Sequence, residues 1–209
     1  MSVRGRAPGG PRSVAVVLGS AVLVGCAGGV AEPGEPVRTL EPVSFADLER
    51  EAREHGWTEQ ADVLATGSVS RADYEQAIDH VRTCAEQGGN GISEPTLSPI
   101  DNLTLEFGFP VGASDDEEIW ALSDACLQRW FWSVSIAYRA THDAVMDADI
   151  RDASLACLAD RGYVMSGDIR NAQDMAVRMP FEAEHDLGEC IVSAAEEVRP
   201  DLDGVSVSW

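Results

Sequence analysis

Four cysteines in two matching settings constrain the fold of this chain more than any other feature. Cys84 stands five residues before Gly89, and Cys157 stands five before Gly162. Each therefore belongs to the last turns of a helix that a glycine ends. Their counterparts are also alike, because Cys126 follows Leu122 and Cys190 follows Leu187, each a few residues into an amphipathic helical pattern. The pattern predicts two copies of one unit, at about 70–140 and 148–198. Each copy runs helix, cysteine, glycine stop, loop with strand, helix, cysteine. Pairing within units joins Cys84 to Cys126 and Cys157 to Cys190, each closed loop contributing at most about 4 kcal/mol in the loop-entropy model. Four cysteines permit three pairings, so spacing alone leaves a crossed arrangement open.

Disulfides require an oxidising compartment, and the N-terminus supplies an export signal. Arg4, Arg6 and Arg12 precede a short apolar run at 14–24, the charged and hydrophobic regions of a secretory leader. A membrane-spanning helix needs about 20 apolar residues, and the glycines after this run do not extend it. The run ends in Leu23, Val24, Gly25 and Cys26. These four residues resemble the lipobox of bacterial lipoproteins, whose cysteine takes a diacylglyceryl group and becomes residue one after cleavage. The resemblance implies a signal peptide at 1–25, lipidation of Cys26, and anchoring to the outer, extracytoplasmic face of the cell membrane. Two or more acyl chains on one cysteine would hold the protein there stably.

Residues 26–43 carry Gly28, Gly29, Pro33, Gly34, Pro36 and Pro42, which make a flexible spacer. The remainder, 44–209, is long enough for a single domain with its own core. Loss of the three leader arginines would take the net charge from -21 to -24. So anionic a surface repels phosphate backbones and excludes nucleic acid as a partner. All 15 basic residues are arginine, which removes Schiff-base lysines and the P-loop lysine from consideration.

The fold class expected is mainly α with a minor β component. Ser44 with Asp47 opens a helix that ends at Gly56, and Ser70 with Asp73 opens another that runs to Gly88 and Gly89. Leu103, Leu105, Phe107 and Phe109 alternate with polar or small residues as a strand does. Ser114, followed by four acidic residues, starts a helix with a break expected near 147–149, the alternative being one very long helix. A short strand at 162–165, helices at 171–178 and 181–198, and an edge strand through Val205, Val207 and Trp209 complete the expectation. The run Gly67, Ser68, Val69, Ser70, Arg71, Ala72, Asp73, Tyr74 before a cysteine-bearing helix resembles small, acidic, uncharacterised secreted lipoproteins of actinobacteria. That resemblance implies a disulfide-stapled domain and no activity.

Candidate chemistry is sparse. Asp62, Thr66, Gly67, Val69 and Asp73 fall at the first, fifth, sixth, eighth and twelfth places of an EF-hand-like loop, but Leu64 occupies the third, a ligand place, without an oxygen, so the stretch reads as a polar turn. Glu182, His185 and Glu189 share one helical face as a possible metal trio, although no Glu-x-x-His pair on a second helix completes it. His142, Met146 and Asp149 have helical spacing too. His55 can complement a helix C-terminus, and His80 lies in a polar helix. No nucleophile elbow or phosphate loop is present in the sequence, and no pattern calls for a cofactor.

The helix after Ser114 carries a core stripe of Ile119, Leu122, Cys126, Leu127, Trp130, Val134, Ala137 and Val145. Trp132 lies about 120° from Cys126, with Ile136 one turn on and Arg129 and Arg139 flanking. This second apolar face is either covered within the domain or a partner surface. The expected function is a non-catalytic binding or interaction module for a protein or envelope component. A secreted enzyme and a cation- or ligand-binding lipoprotein are the alternatives.

Overall fold

Serines at helix starts and left-handed glycines at helix ends set the order of elements. The computed structural model describes residues 42–110, 116–201 and 207. The leader, Cys26, the spacer through residue 41, Ser114, Val205 and Trp209 lie outside the described residues. All described residues fall in one compact unit, Val37–Trp209.

Helix α1 (Phe45–Glu54) is capped by Ser44, whose Oγ accepts from the Asp47 amide at 3.3 Å. Helix α2 (Thr58–Leu64) is an addition to the expected elements. It holds Asp62 and Leu64, so the EF-hand-like places do not lie on a single loop. Helix α3 (Arg71–Gln87) opens with a full capping box. The Asp73 amide donates to Ser70 Oγ at 3.2 Å, and the Asp73 carboxylate accepts from the Ser70 amide at 2.9 Å.

α3 and α6 (Ala148–Asp160) stop in the same way. Gly89 takes φ +82° and Gly162 φ +96°, values that glycine adopts without steric cost. At the first stop the Asn90 amide donates to the Ala85 carbonyl at 2.9 Å and the Gly89 amide to Glu86 at 3.0 Å. At the second, Tyr163 donates to Leu158 and Gly162 to Ala159, both at 2.9 Å. This is the Schellman arrangement, which satisfies carbonyls that a helix end would leave open. Cys84 and Cys157 each sit one residue before the outermost accepting carbonyl.

The disulfides are Cys84–Cys126 and Cys157–Cys190, with Cα separations of 5.7 and 5.6 Å across 42 and 33 residues of sequence. They staple α3 to α4 (Asp116–Trp130) and α6 to α8 (Glu184–Val198). Each stapled pair has its own apolar core. Tyr74, Ile78, Val81, Val134 and Tyr138 belong to the first, and Ile150, Leu158, Met175, Leu187 and Ile191 to the second. The first core also takes in Ala52, Ala61 and Leu64, upstream of residue 70. Ile100, from the loop of the first unit, is buried in the second core.

Four expected elements differ. Among the described residues only β1 (Thr96–Leu97) and β2 (Leu105–Glu106) pair, antiparallel, with Thr96 opposite Glu106. Leu103 is buried in the first core, and Leu105, Phe107 and Phe109 pack against it. Their alternation thus reports one-sided burial, while two of the run's amides bond to side chains: the Leu105 amide donates to the Tyr74 hydroxyl at 3.2 Å and the Leu103 amide to Asp101 Oδ1 at 2.9 Å.

The long helix breaks earlier than expected, at Phe131, where α4 gives way to α5 (Trp132–Thr141). Gln60 of α2, buried to 1% exposure, serves the broken backbone. Its Nε2 donates to the Gln128 carbonyl at 2.7 Å, and its Oε1 accepts from the Ser133 amide at 2.9 Å. Residues 142–147 then run without helix, and α6 begins behind Asp147 as the aspartates suggested.

Residues 162–165 form no strand, because the Tyr163 amide closes the helix end. Helix α7 (Ala172–Ala176), capped by Asn171, and a 3-10 turn, Phe181–Ala183, precede α8. The second unit therefore has a short helix where the first has its hairpin. Val207 packs on the second core but is not in a strand. No helix among the described residues is long and apolar enough to cross a membrane.

Candidate binding cleft

Residues 104–109 form one wall of an open cleft of about 700 Å³, and α4 and α5 form the other. Three of the five phenylalanines in the chain line it, Phe107, Phe109 and Phe131, together with two of the five tryptophans, Trp120 and Trp132. Leu105, Ile119 and Leu127 add aliphatic surface, and Glu106, Ser123, Asp124, Ser135 and Arg139 are polar members.

The wall at 104–109 is fixed from beneath. Tyr74 is fully buried and stacks on Tyr138, with ring centroids 4.4 Å apart and planes 9° from parallel. Burial raises the pKa of the Tyr74 phenol, which stays protonated, and its oxygen accepts a hydrogen bond from the Leu105 amide. Phe107 meets Phe131 edge-on at 5.4 Å and 74°, a favourable arrangement of ring quadrupoles. Phe131 is 7% exposed and belongs to the first core. By contrast Trp120 is 67% exposed and Trp132 56%.

The break at Phe131 shapes the opposite wall. On an unbroken helix Trp120 and Trp132 would point about 120° apart. With α5 re-started at Trp132, both indoles meet the same cleft. Ser123, on the turn after Trp120, donates its hydroxyl to the Trp120 carbonyl at 2.8 Å.

The four residues expected on a second apolar face are divided by the structure. Trp132 and Arg139 line the cleft. Ile136 is half-buried and is not among the lining residues. Arg129 places its guanidinium 4.8 Å over the Trp130 ring, and Trp130 in turn stacks on His80 at 4.8 Å. His80 and Trp130 line a smaller hollow together with Glu59, Gln60 and Asp62, while Arg129 is not among its lining residues. Of the expected core stripe, Cys126, Val134 and Ala137 are buried. Val145 is 45% exposed, because it lies past the end of α5.

Trp120, Phe107 and Phe109 were not singled out for this site by the sequence. The angular argument that sets Trp132 off the core face applies equally to Trp120, which stands six residues before Cys126 as Trp132 stands six after.

The remaining candidates are engaged elsewhere. Arg161 donates from Nη1 to Glu189 Oε2 at 2.8 Å and to Asp186 Oδ1 at 2.6 Å. These bonds hold both carboxyls below their ordinary pKa range, with Tyr163 adding a hydrogen bond to Asp186 and His185 a nearby charge to Glu189. His185 Nε2 lies 3.2 Å from Glu189 Oε1, while Glu182 sits in the 3-10 turn before α8. Glu189 is thus bound to a guanidinium, and no set of three or more His, Cys, Asp or Glu among the described residues is arranged to hold a metal ion.

His142, Met146 and Asp149 do not share a helix. His142 caps α5 with Nδ1 2.8 Å from the Tyr138 carbonyl, Met146 is buried in the second core, and Asp149 is in the first turn of α6. His55 is the C-cap residue of α1 and stacks on Trp57 at 4.5 Å. Cys84, Cys126, Cys157 and Cys190 are all in disulfides, which leaves no thiol among the described residues.

Comparisons of this chain with protein-family models, with curated proteins and with solved structures find no match.

Proposed function

We propose that this protein is an exported, lipid-anchored envelope protein and a non-catalytic binding module that engages a protein or envelope component through the aromatic cleft. The leader at 1–25 and the Leu23 to Cys26 motif support export and anchoring. The two disulfides accord with an oxidising compartment.

The observation that carries the binding role is the pairing of two tryptophans, each more than half exposed, on one aromatic-lined cleft. Exposed apolar surface gathered in one place marks recognition sites, and tryptophan and arginine dominate the energetics of protein interfaces.

Two experiments test the two halves of the proposal. Cys26→Ala should move the protein from the membrane fraction to the soluble or unprocessed pool, and unchanged processing and membrane association would refute the anchor. Crosslinking in intact envelopes should recover a partner with the native chain and lose it with Trp120→Ala and Trp132→Ala combined. Equal recovery from both would remove the cleft as the binding surface.

A further inference from the structure

The geometry points to a cationic, amphipathic peptide segment of a protein partner as the occupant of the cleft, an inference that rests on the binding-module role proposed above. Apolar contact comes first. Phe107, Phe109, Trp120, Leu127 and Trp132 present aromatic and aliphatic surface in a cleft of about 700 Å³. That volume lies within the range of clefts that take a compact ligand, so it accepts a few side chains of a partner and not a folded domain.

Charge then selects the sign of the occupant. Glu106 and Asp124 stand in the lining against one arginine, Arg139. Glu117 and Glu118 are exposed on the turn that leads to Ile119 and Trp120. The chain as a whole carries a formal charge of -21. Fatty carboxylates, phosphate headgroups and acidic peptides would all enter against this field, whereas Lys or Arg side chains would enter with it. The exposed indole faces strengthen the preference, since a cation over tryptophan is drawn to the negative face of the ring.

Hydrogen-bonding capacity separates a peptide from a glycan. A sugar also stacks on tryptophan, but its hydroxyls need a matching set of polar partners. The Ser123 hydroxyl is already bonded to the Trp120 carbonyl, and the greater part of the wall is apolar. Leucine-like side chains flanked by cations fit this surface better.

Calorimetric titration of the purified full chain tests the inference with four probes. These are a short amphipathic leucine–lysine peptide, its leucine–glutamate counterpart, a serine–lysine peptide of equal charge, and an oligosaccharide of N-acetylglucosamine. The leucine–lysine peptide should bind, and the other three should bind at least about tenfold more weakly. The combined Trp120→Ala and Trp132→Ala variant should weaken that binding by a similar factor. Asp124→Asn, at an exposed position, should weaken it by a smaller one. Thermal melting of each variant establishes that it is folded.

Stronger binding of the glutamate peptide or of the oligosaccharide would overturn the inference. So would equal binding of the serine–lysine peptide, or binding indifferent to the tryptophans, since either would mean attraction to the anionic surface alone. These outcomes leave the envelope crosslinking result intact, so failure of the peptide class is distinguishable from failure of the binding role.

Discussion

Asn102 donates from Nδ2 to Asp147 Oδ1 at 2.7 Å, which ties the loop of the first disulfide-closed segment to the residue that precedes α6. The same amide donates to the Val145 carbonyl at 2.9 Å. Backbone bonds reinforce the seam, since Val145 donates to Asp101 at 2.8 Å and Asp147 to Pro99 at 2.9 Å. Asn102 also holds φ at +49°, a left-handed value that asparagine tolerates better than most residues.

Two substitutions at Asn102 therefore separate the contributions. Asn102→Ala loses both side-chain bonds and strains the backbone, at an expected cost of about 2 kcal/mol. Asn102→Gly loses the bonds but relieves the strain, so its cost should be nearer 1 kcal/mol. Urea midpoints of the two variants test this, and a glycine variant no more stable than the alanine one contradicts it.

At the break between α4 and α5, Gln60→Leu should be strongly destabilising despite its similar size. It leaves the buried Ser133 amide and the partly buried Gln128 carbonyl without their partner. Each unsatisfied group costs about 1–3 kcal/mol, so a loss of about 2–5 kcal/mol is expected in chemical denaturation. Gln60→Glu retains the acceptor for Ser133 but not the donor for Gln128, and it buries a charge. It should be no better than leucine.

Phe131 and Trp132 are neighbours in sequence with opposite expectations. Phe131→Ala empties a buried site and should cost about 3–5 kcal/mol, whereas Trp132→Ala should leave the melting temperature nearly unchanged. A large loss at Trp132 would mean that the indole is structural and would remove it from the proposed binding surface.

Local signals specify local structure well in this chain, and their limits are physical. The Ser44 and Ser70 caps, the glycine stops at 56, 89 and 162, and the within-unit disulfides are all present, because each depends on a few adjacent residues or on matched helix ends. The break at Phe131 was not legible, because the group that serves it, Gln60, lies 73 residues from Ser133. The run from Leu103 to Phe109 was legible as one-sided but not as a strand confined to Leu105–Glu106, since alternation records burial and says nothing of hydrogen-bond partners. For the same reason the cleft could be read from one side only. Trp132 was visible by its angle to Cys126, but the facing wall of Phe107 and Phe109 belongs to a segment whose position no helical period reports.

Acid should weaken the joint between α6 and α8 through Arg161. Hydrogen bonds from Arg161 lower the pKa values of Asp186 and Glu189. A lowered folded-state value means that the contribution to stability is present above the ordinary carboxyl range and is lost as pH falls through the lowered values. The native chain and Arg161→Gln should therefore differ in melting temperature at neutral pH and converge below the carboxyl range. The difference should be small, because all three side chains face solvent. A gap that persists unchanged in acid would show that Arg161 acts by packing.

The matched staples also determine how the chain bears load. A pull on the two ends passes from α3 straight across Cys84–Cys126 and from α6 straight across Cys157–Cys190, so the chain looped between the cysteines, over sequence separations of 42 and 33, carries no tension. At full extension those segments would otherwise pay out roughly 140 Å and 110 Å of chain. The wall of Phe107 and Phe109 lies inside the first of these shielded lengths, and so do Trp120 and Asp124, whereas Trp132 and Arg139 lie beyond it. Stretching would thus draw α5 away from an intact wall, parting the cleft along a single line while the lining residues from Thr104 to Asp124 stay looped behind the sulfur bridge.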